Sequence, residues 1–595
     1  MKVSPRVALS VSACGAILLA STFLITPLAV DAATPPAAQL PGDAGRPAPV
    51  CEPSHMDSPY IPVDSWIYPA VMRLYSLGYI DAVYLGMRPW TRAGVGHMLE
   101  VAGSRIDDAD PSPANDEAQR IYQALDEELD ADMSGPCRVH QGKARIESIY
   151  SATRIVSGTP LRDSYHLGQT VINDYGRPYE NGLSNYSGVS GYASAGPFGI
   201  YLRGEFQGAP SAPGYSTQLA QLLSTIDGIP FLNPATNQPY NQATVPLGPL
   251  GSITNGRFLE AYVSTSIAHN EISFGKQDDW LGPGLGGGMA YSNNAENIYS
   301  FRINRTEPLR IPGLSLLTGP FRYDFLVGSL KGHTYPNSPW VHVEKISFKP
   351  TPNLELGFER TVIWGGKGHA PITLHTFLKS FFSFSGVSAA EKFSRNDPGA
   401  RFGAFDFSYR LPFLRNWVTL YSDGEVHDDI SPIDAPRRAA WRPGIYLSHV
   451  PGIPALDLRL EAVTTDPPIT NSNGGLFMYY ETVQRQGYTN KGNLFGDWIG
   501  REGKGGQGWL TYHISGNEWV QLGYRNQKVA KDFVPGGTTL NDLNFQVVKR
   551  VGRNFEVDGN FTYERWKAPI YLPGEQTATN TTIQLTWFPK RKLTF

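Results

Sequence analysis

Along the last third of the chain, apolar and polar residues alternate with a period of two. In residues 554–565, Phe555, Val557, Gly559, Phe561 and Tyr563 are apolar, while Glu556, Asp558, Asn560, Thr562 and Glu564 between them are polar or charged. The pattern recurs where Leu456, Leu458 and Leu460 face Asp457, Arg459 and Glu461, and where Leu543, Phe545 and Val547 face Asp542, Asn544 and Gln546. Such alternation predicts strands with one apolar and one polar face. From about residue 143 onward the reading is all strand, and the connections alternate in length. Tight turns are predicted at 349–352, 412–415, 451–454, 515–517 and 551–553, with long polar stretches such as 364–400 and 425–440 between them. Outer-membrane barrels show that asymmetry, with short turns at the periplasmic end and long external loops. The final strand sets Ile583, Leu585 and Trp587 against Thr582, Gln584 and Thr586, and the chain ends on Phe595. Closing the sheet removes the unpaired edges that lipid does not tolerate. The expected fold is an all-β transmembrane outer-membrane barrel of about 18 antiparallel strands; a secreted β-sandwich array is the alternative.

Between residues 51 and 140 the period changes. Ile121, Leu125 and Leu129 fall at helical spacing behind Pro113, Thr91 is placed to cap a helix carrying Val95, Met98 and Leu99, and another helix is expected over about 67–77. This predicts a small α-helical domain, residues 51–140, that packs rather than catalyses, followed by the barrel over 141–595. Residues 33–50, rich in Ala, Pro and Gly, read as a flexible linker. Ahead of them, Lys2 and Arg6 precede an apolar stretch over 7–30, and Val30 and Ala32 stand at −3 and −1. Residues 1–32 therefore read as a secretory signal peptide, with an uncleaved anchor as the alternative. Cleavage leaves Cys51 and Cys137 in a compartment where disulfides persist, so the two are expected to pair, two free thiols being the other reading.

Composition narrows the function classes. A mean hydropathy of −0.27 and the lack of a second apolar run near the roughly 20 residues of a spanning helix exclude a polyhelical membrane protein. The net charge of −3 argues against a nucleic-acid partner. His-Glu-x-x-His, Gly-x-Ser-x-Gly and Walker motifs do not occur, so the chain is not expected to be an enzyme or to hold a cofactor or metal.

The candidate chemistry lies in three Gly- and Trp-rich segments. The first places Asp278, Asp279 and Trp280 before a glycine run over 282–288, with Tyr291 and Asn293 behind it. Flat aromatic faces beside amides and carboxylates suit sugar rings, whose CH faces stack while their hydroxyls seek bidentate partners; a loop that only plugs the lumen is the equal alternative. The second carries Trp364, Lys367 and His369, and the third Trp498 and Arg501. Inward-facing Arg203, Glu205, Asp406, Arg410 and Arg459 carry both signs, as either an open pore or a bonded plug requires.

The run Gly282-Pro283-Gly284 with 292–295 behind it, the 360–366 stretch ending in Trp-Gly-Gly, the Phe405-Asp406-Phe407 strand and the 496–508 segment together resemble the Wzi-type capsule-assembly proteins of Gram-negative outer membranes. The resemblance covers most of the chain from about Tyr60; here Leu281 separates Trp280 from the Gly-Pro-Gly. It implies an eighteen-stranded barrel with a periplasmic helical bundle at its foot, acting as a cell-surface lectin for capsular polysaccharide or exopolysaccharide. The expected partners are that polymer, outer-membrane lipid and, during biogenesis, the barrel-assembly machinery, with the protein itself a monomer. A porin or solute channel is the first alternative and an outer-membrane hydrolase the second.

Overall fold

A computed structural model describes residues 57–133, 142–382, 387–427, 438–467, 474–589 and 592–594. The stretches expected to be signal peptide and linker, together with Cys51, Cys137 and Phe595, lie outside the described residues. Eighteen antiparallel strands close into a barrel. They are β1 (Gly142–Gly158), β2 (Gly182–Ala195), β3 (Phe198–Ala209), β4 (Ile253–Ile267), β5 (Asn270–Lys276), β6 (Tyr299–Arg305), β7 (Phe321–Ser329), β8 (Trp340–Thr351) and β9 (Leu354–Trp364). The second nine are β10 (Ala400–Arg410), β11 (Val418–His427), β12 (Ala440–Leu447), β13 (Leu456–Thr464), β14 (Gly503–Ser515), β15 (Glu518–Val529), β16 (Thr538–Val551), β17 (Phe555–Lys567) and β18 (Gln576–Trp587). Each pairs with its neighbour in sequence, and β18 returns to β1 in a register running from Ile149↔Trp587 to Gly158↔Ala578.

The alternation read from sequence becomes the two faces of this wall. Leu460, Leu543, Phe545, Phe561, Ile583 and Leu585 are exposed on the outside, while Asp457, Glu461, Asp542 and Glu564 are buried inside. Connections at one end are tight, as at 196–197, 268–269, 352–353, 516–517 and 552–554; at the other they are long, as at 159–181, 210–252, 277–298, 365–399 and 465–502. One connection at the tight end departs from the pattern: residues 306–320 form a longer excursion with Leu316 and Leu317 exposed. Among the described residues, helices interrupt the long connections over Thr217–Ile226, Leu374–Phe382 and Ala389–Lys392.

Three helices stand at the tight end: α1 (Ile67–Ser76), α2 (Arg92–Asp107) and α3 (Pro113–Met133). The Thr91 hydroxyl accepts the Gly94 N–H at 3.1 Å and starts α2. Leu74, Val95, Leu99, Ile121, Leu125 and Leu129 form one apolar core between them. The bundle is bonded to the strand ends: Lys349 Nζ donates to the carbonyls of Asp81 and Val83 at 2.8 and 2.7 Å, Arg410 Nη1 donates to Tyr75 O at 2.9 Å, and the N–H groups of Leu85 and Gly86 donate to Glu355 at 2.8 and 3.0 Å. Charged side chains at the inner rim thus end on backbone groups of the bundle, which satisfies both partners out of water.

Candidate functional site

The glycine-rich segment turns inward. Trp280 and Leu281 pair antiparallel with Arg88 and Met87, forming a two-stranded ribbon inside the barrel. Beyond it the chain runs along the inner wall, where the N–H of Met289 donates to Asp423 at 2.7 Å and those of Leu285 and Gly286 donate to Glu461 at 2.8 and 3.1 Å. Glycine is required by this close approach: Gly282 has φ +133°, and a Cβ there would lie 2.4 Å from Asp423 Oδ2. Asp278 accepts from the Val63 N–H at 2.8 Å, the Tyr175 hydroxyl at 2.9 Å and Asn297 Nδ2 at 2.5 Å. Asp279 stands 3.4 Å from Arg302, and Tyr291 packs on Phe495 with ring centroids 5.2 Å apart. These residues hold the segment in place, as the plug reading expects.

The third segment meets the first: Ser292 N–H donates to Phe495 O at 2.7 Å. Trp498 is fully buried, donates through Nε1 to Gln507 at 3.1 Å and lies under Arg442, whose guanidinium is bonded to Asp497 at 2.5 and 2.8 Å and to Glu461 at 2.8 Å. Arg501 pairs with Asp227 at 2.6 Å over the rings of Tyr165, Tyr480 and Phe533. Asp227 also holds His166, which lies between it and Asp163 at 3.0 and 2.9 Å. Burial opposes a charge on this imidazole, but the two carboxylates prevail and lift its pKa to about 9. The second segment stays apart. Trp364 is buried against Phe377 and Phe381, Lys367 is exposed, and half-buried His369 pairs with Asp397 at 2.7 Å. Two of the three segments are therefore folded into the lumen and one is left outside.

Two spaces remain. At the loop end, a cleft of about 380 Å³ opens between 159–181, 210–252 and 491–493; its wall includes Arg162, Asp174, Arg177, Tyr179, Asn294 and Asn493. Arg177 is clamped by Asp174 at 2.5 Å and by Glu205 at 2.6 and 3.0 Å. Burial works against its charge, yet these carboxylates keep its pKa well above the usual guanidinium value. Asn173 and Tyr175 beside it adopt φ +51° and +54°, left-handed conformations unusual for residues with side chains. Tyr175 is held there by its N–H bond to Asn293 O at 2.7 Å and its hydroxyl bond to Asp278. Such strain concentrates at binding and catalytic loops.

The second space is a chamber of about 540 Å³ inside the barrel along β14–β18. Trp66, Trp280, Trp509, Asn293, Asn544 and Arg459 are among its walls. Its polar residues bond across strands, Asn544 Nδ2 to Asn560 at 2.9 Å and Gln546 Nε2 to Asp558 at 3.1 Å. Arg459 stacks 4.4 Å above the Tyr446 ring, and its Nη1 has no hydrogen-bond partner among the described residues. Of the residues put forward from sequence, Trp280, Asn293 and Arg459 border this chamber and none borders the cleft. The cleft residues were missed although 173–180, Asn-Asp-Tyr-Gly-Arg-Pro-Tyr-Glu, carry the same mixture of aromatic, glycine and charge that marked the other segments.

A closed eighteen-stranded wall, apolar outside and polar within, with segments packed into its lumen, defines a plugged outer-membrane β-barrel. Residues 151–581 match the capsule assembly protein Wzi family, and the chain belongs to that family. Its fold is that of Escherichia coli Wzi, described as an outer-membrane protein involved in group 1 capsule assembly and a carbohydrate-binding β-barrel, with a TM-score of 0.60 at 17% identity over 88% of this chain and 98% of that one. A Klebsiella pneumoniae protein of 55.8 kDa from the cps region, itself uncharacterized, is 25% identical over 217 residues. That match spans 36% of this chain and 42% of the Klebsiella protein.

Proposed function

We propose that this protein is a non-enzymatic lectin that holds capsular polysaccharide or exopolysaccharide at the bacterial surface, and that the polymer is gripped in the cleft at the loop end of the barrel. The cleft carries the reading. Its size falls within the several hundred Å³ of ordinary ligand sites. The ring of Tyr179 and the flat faces of Pro178, Pro210 and Pro246 lie among amides and paired charges, the surroundings a sugar ring needs on its two kinds of face. The carbohydrate binding attributed to E. coli Wzi supports the same ligand class. Grip per site is weak and is summed along a repeating polymer. In this reading the long loops face the exterior, α1–α3 sit in the periplasm, lipid surrounds the wall, and the monomer is the working unit. The uneven connections support that orientation. A solute channel has less support, because the Gly-rich and 493–501 segments occupy much of the lumen.

Gly251 offers a clean test. It lines the cleft, and a Cβ there would meet nothing within 4 Å, so Gly251→Trp obstructs the cleft without crowding the fold. Binding of the variant to immobilised capsular polysaccharide is expected to fall about tenfold, a loss of about 1.4 kcal/mol, with heat-modifiability on gels unchanged. Undiminished binding by a folded variant would sink the cleft assignment.

A further inference from the structure

One stretch of the outer wall is polar where it should be greasy. On β8 and β9, Val341, Val343 and Ile363 point inward into the core around Tyr488 and Phe495. His342, Glu344, Arg360, Val362 and Trp364 therefore point outward, paired as His342↔Val362 and Glu344↔Arg360. Two residues further along, the same outward rows continue as Ile346 and Phe358, 52% and 54% exposed, in the apolar band of the barrel. His342, by contrast, is buried.

Its cover is the helix Leu374–Phe382, carried by the 365–399 connection back over the rim and down the outside of the wall. Phe381 stacks on His342 with ring centroids 3.8 Å apart and lies 5.5 Å from Phe325 of β7. Ser380 Oγ is 2.5 Å from His342 Nε2, and Glu344 pairs with His342 Nδ1 at 2.8 Å. The helix presents Phe377 and Phe381 to the wall beside Thr376 and Ser380, and carries a second apolar row on the side away from it. Thr376 and Ser380 are buried, while Leu374, Leu378 and Phe382, one turn apart, are 73%, 46% and 67% exposed.

We propose that Leu374–Phe382 is an interfacial helix whose Leu374, Leu378 and Phe382 stripe binds the acyl chains of membrane lipid at the loop end of the barrel. Three observations favour lipid over a protein partner. The stripe sits on the outer wall, next to the band formed by Ile346 and Phe358. Trp340, at the top of the same wall and 42% exposed, is the residue type that marks a membrane–water boundary. Finally, the helix covers His342 and Glu344, polar groups that would otherwise face hydrocarbon. The helix thus replaces a polar patch of wall with an apolar one, as interfacial helices do with an apolar face in the acyl region and a polar one elsewhere.

Hydroxyl-radical footprinting of the full-length, unsubstituted protein in phospholipid nanodiscs holding one copy tests the proposal. Leu374, Leu378 and Phe382 are expected to be modified about tenfold less than Leu232 of the 210–252 loop, and as little as Ile346 and Phe358, because lipid excludes the aqueous radical. Modification at the level of Leu232 overturns the proposal, as does protection seen only in discs holding two copies, which assigns the stripe to a second chain. A double variant, Leu378→Glu with Phe382→Glu, gives a separate readout. It is expected to detach the helix and open His342 to diethyl pyrocarbonate in nanodiscs; a folded variant with His342 still protected counts against lipid as the occupant.

Discussion

The two halves of the lumen satisfy their polar side chains in different ways. Along β8–β13 the inner wall meets inserted chain: Asp423 and Glu461 end on backbone N–H groups, Arg442 sits between Asp497 and Glu461, and Leu281, Phe402, Phe495 and Trp498 close around them. Along β14–β18 the wall meets a chamber, and Asn544, Asn560, Gln546 and Asp558 bond to one another across strands. In the first half Asp423, Glu461 and Arg442 depend on partners supplied by the inserted segments, so one lost atom leaves an orphan out of water. In the second half, residues beside the chamber can take water in place of a lost partner. Stability should therefore be concentrated on one side of a barrel whose strands look alike.

The largest contrast is expected from Gly282→Val. Its branched side chain would collide with Asp423 in a backbone conformation that disfavours it, at a cost of about 4 kcal/mol or more. Loss of the heat-modifiable folded band, or a melting temperature lower by well over ten degrees by circular dichroism, is the expected result; a wild-type melt would remove the distinction between the halves. Arg442→Met comes next. It strands Asp497 and Glu461, which costs about 3–5 kcal/mol by the precedent of broken buried pairs, and a chemical unfolding midpoint checks it.

Two histidines at the loop end sharpen the comparison through pH. His166 belongs to the 159–181 connection, beside the apolar cluster of Leu161, Leu167, Tyr215 and Trp566. Its pKa rises from 6.5 to about 9 on folding, so its stabilisation is complete below 6.5 and is lost as pH climbs toward 9. His333, bonded to Thr489 O at 2.8 Å, behaves in the opposite sense. Burial pushes it from 6.5 down to about 4, so its contribution is complete above 6.5 and fades as pH falls toward 4. Melts across pH 4–9 are expected to show an acid flank removed by His333→Gln and an alkaline flank removed by His166→Gln, each on the order of 2–3 kcal/mol. The smallest effect belongs to Asn560→Ala on the chamber wall, about 1 kcal/mol or less. A loss as large as that of Arg442→Met would show the chamber wall to be as tightly coupled as the packed half.

The strands were legible because their signal is local. Phe555 through Glu564 alternate whatever they pack against, and the turn at 551–553 lies next to them in sequence. Helices α1–α3 were legible for the same reason, from Pro113, Thr91 and an apolar spacing. The destination of the glycine run was not, because Gly282 is glycine on account of Asp423, and Leu285 and Gly286 are anchored by Glu461, far along the chain. Asp278 and Trp498 belong to residue types that suit a sugar site and a plug in a polar lumen alike, so the sequence left both readings open. His342 and Glu344 interrupt the apolar outer face, and the helix folded over them accounts for their place outside the wall.

The seam between Ile149 and Trp587 has a consequence for how the molecule comes into being. The first strand made must wait for the last, since the only other pairing on that edge is the short one of Lys143–Arg145 with Lys592–Thr594 among the described residues. Until then the sheet keeps two raw edges, each able to recruit a stranger. A chain shortened by its final strand is thus not a smaller barrel but an open sheet, and maturation is all or nothing at its last step. The long sequence separation across that seam also makes it the slowest contact to find unaided.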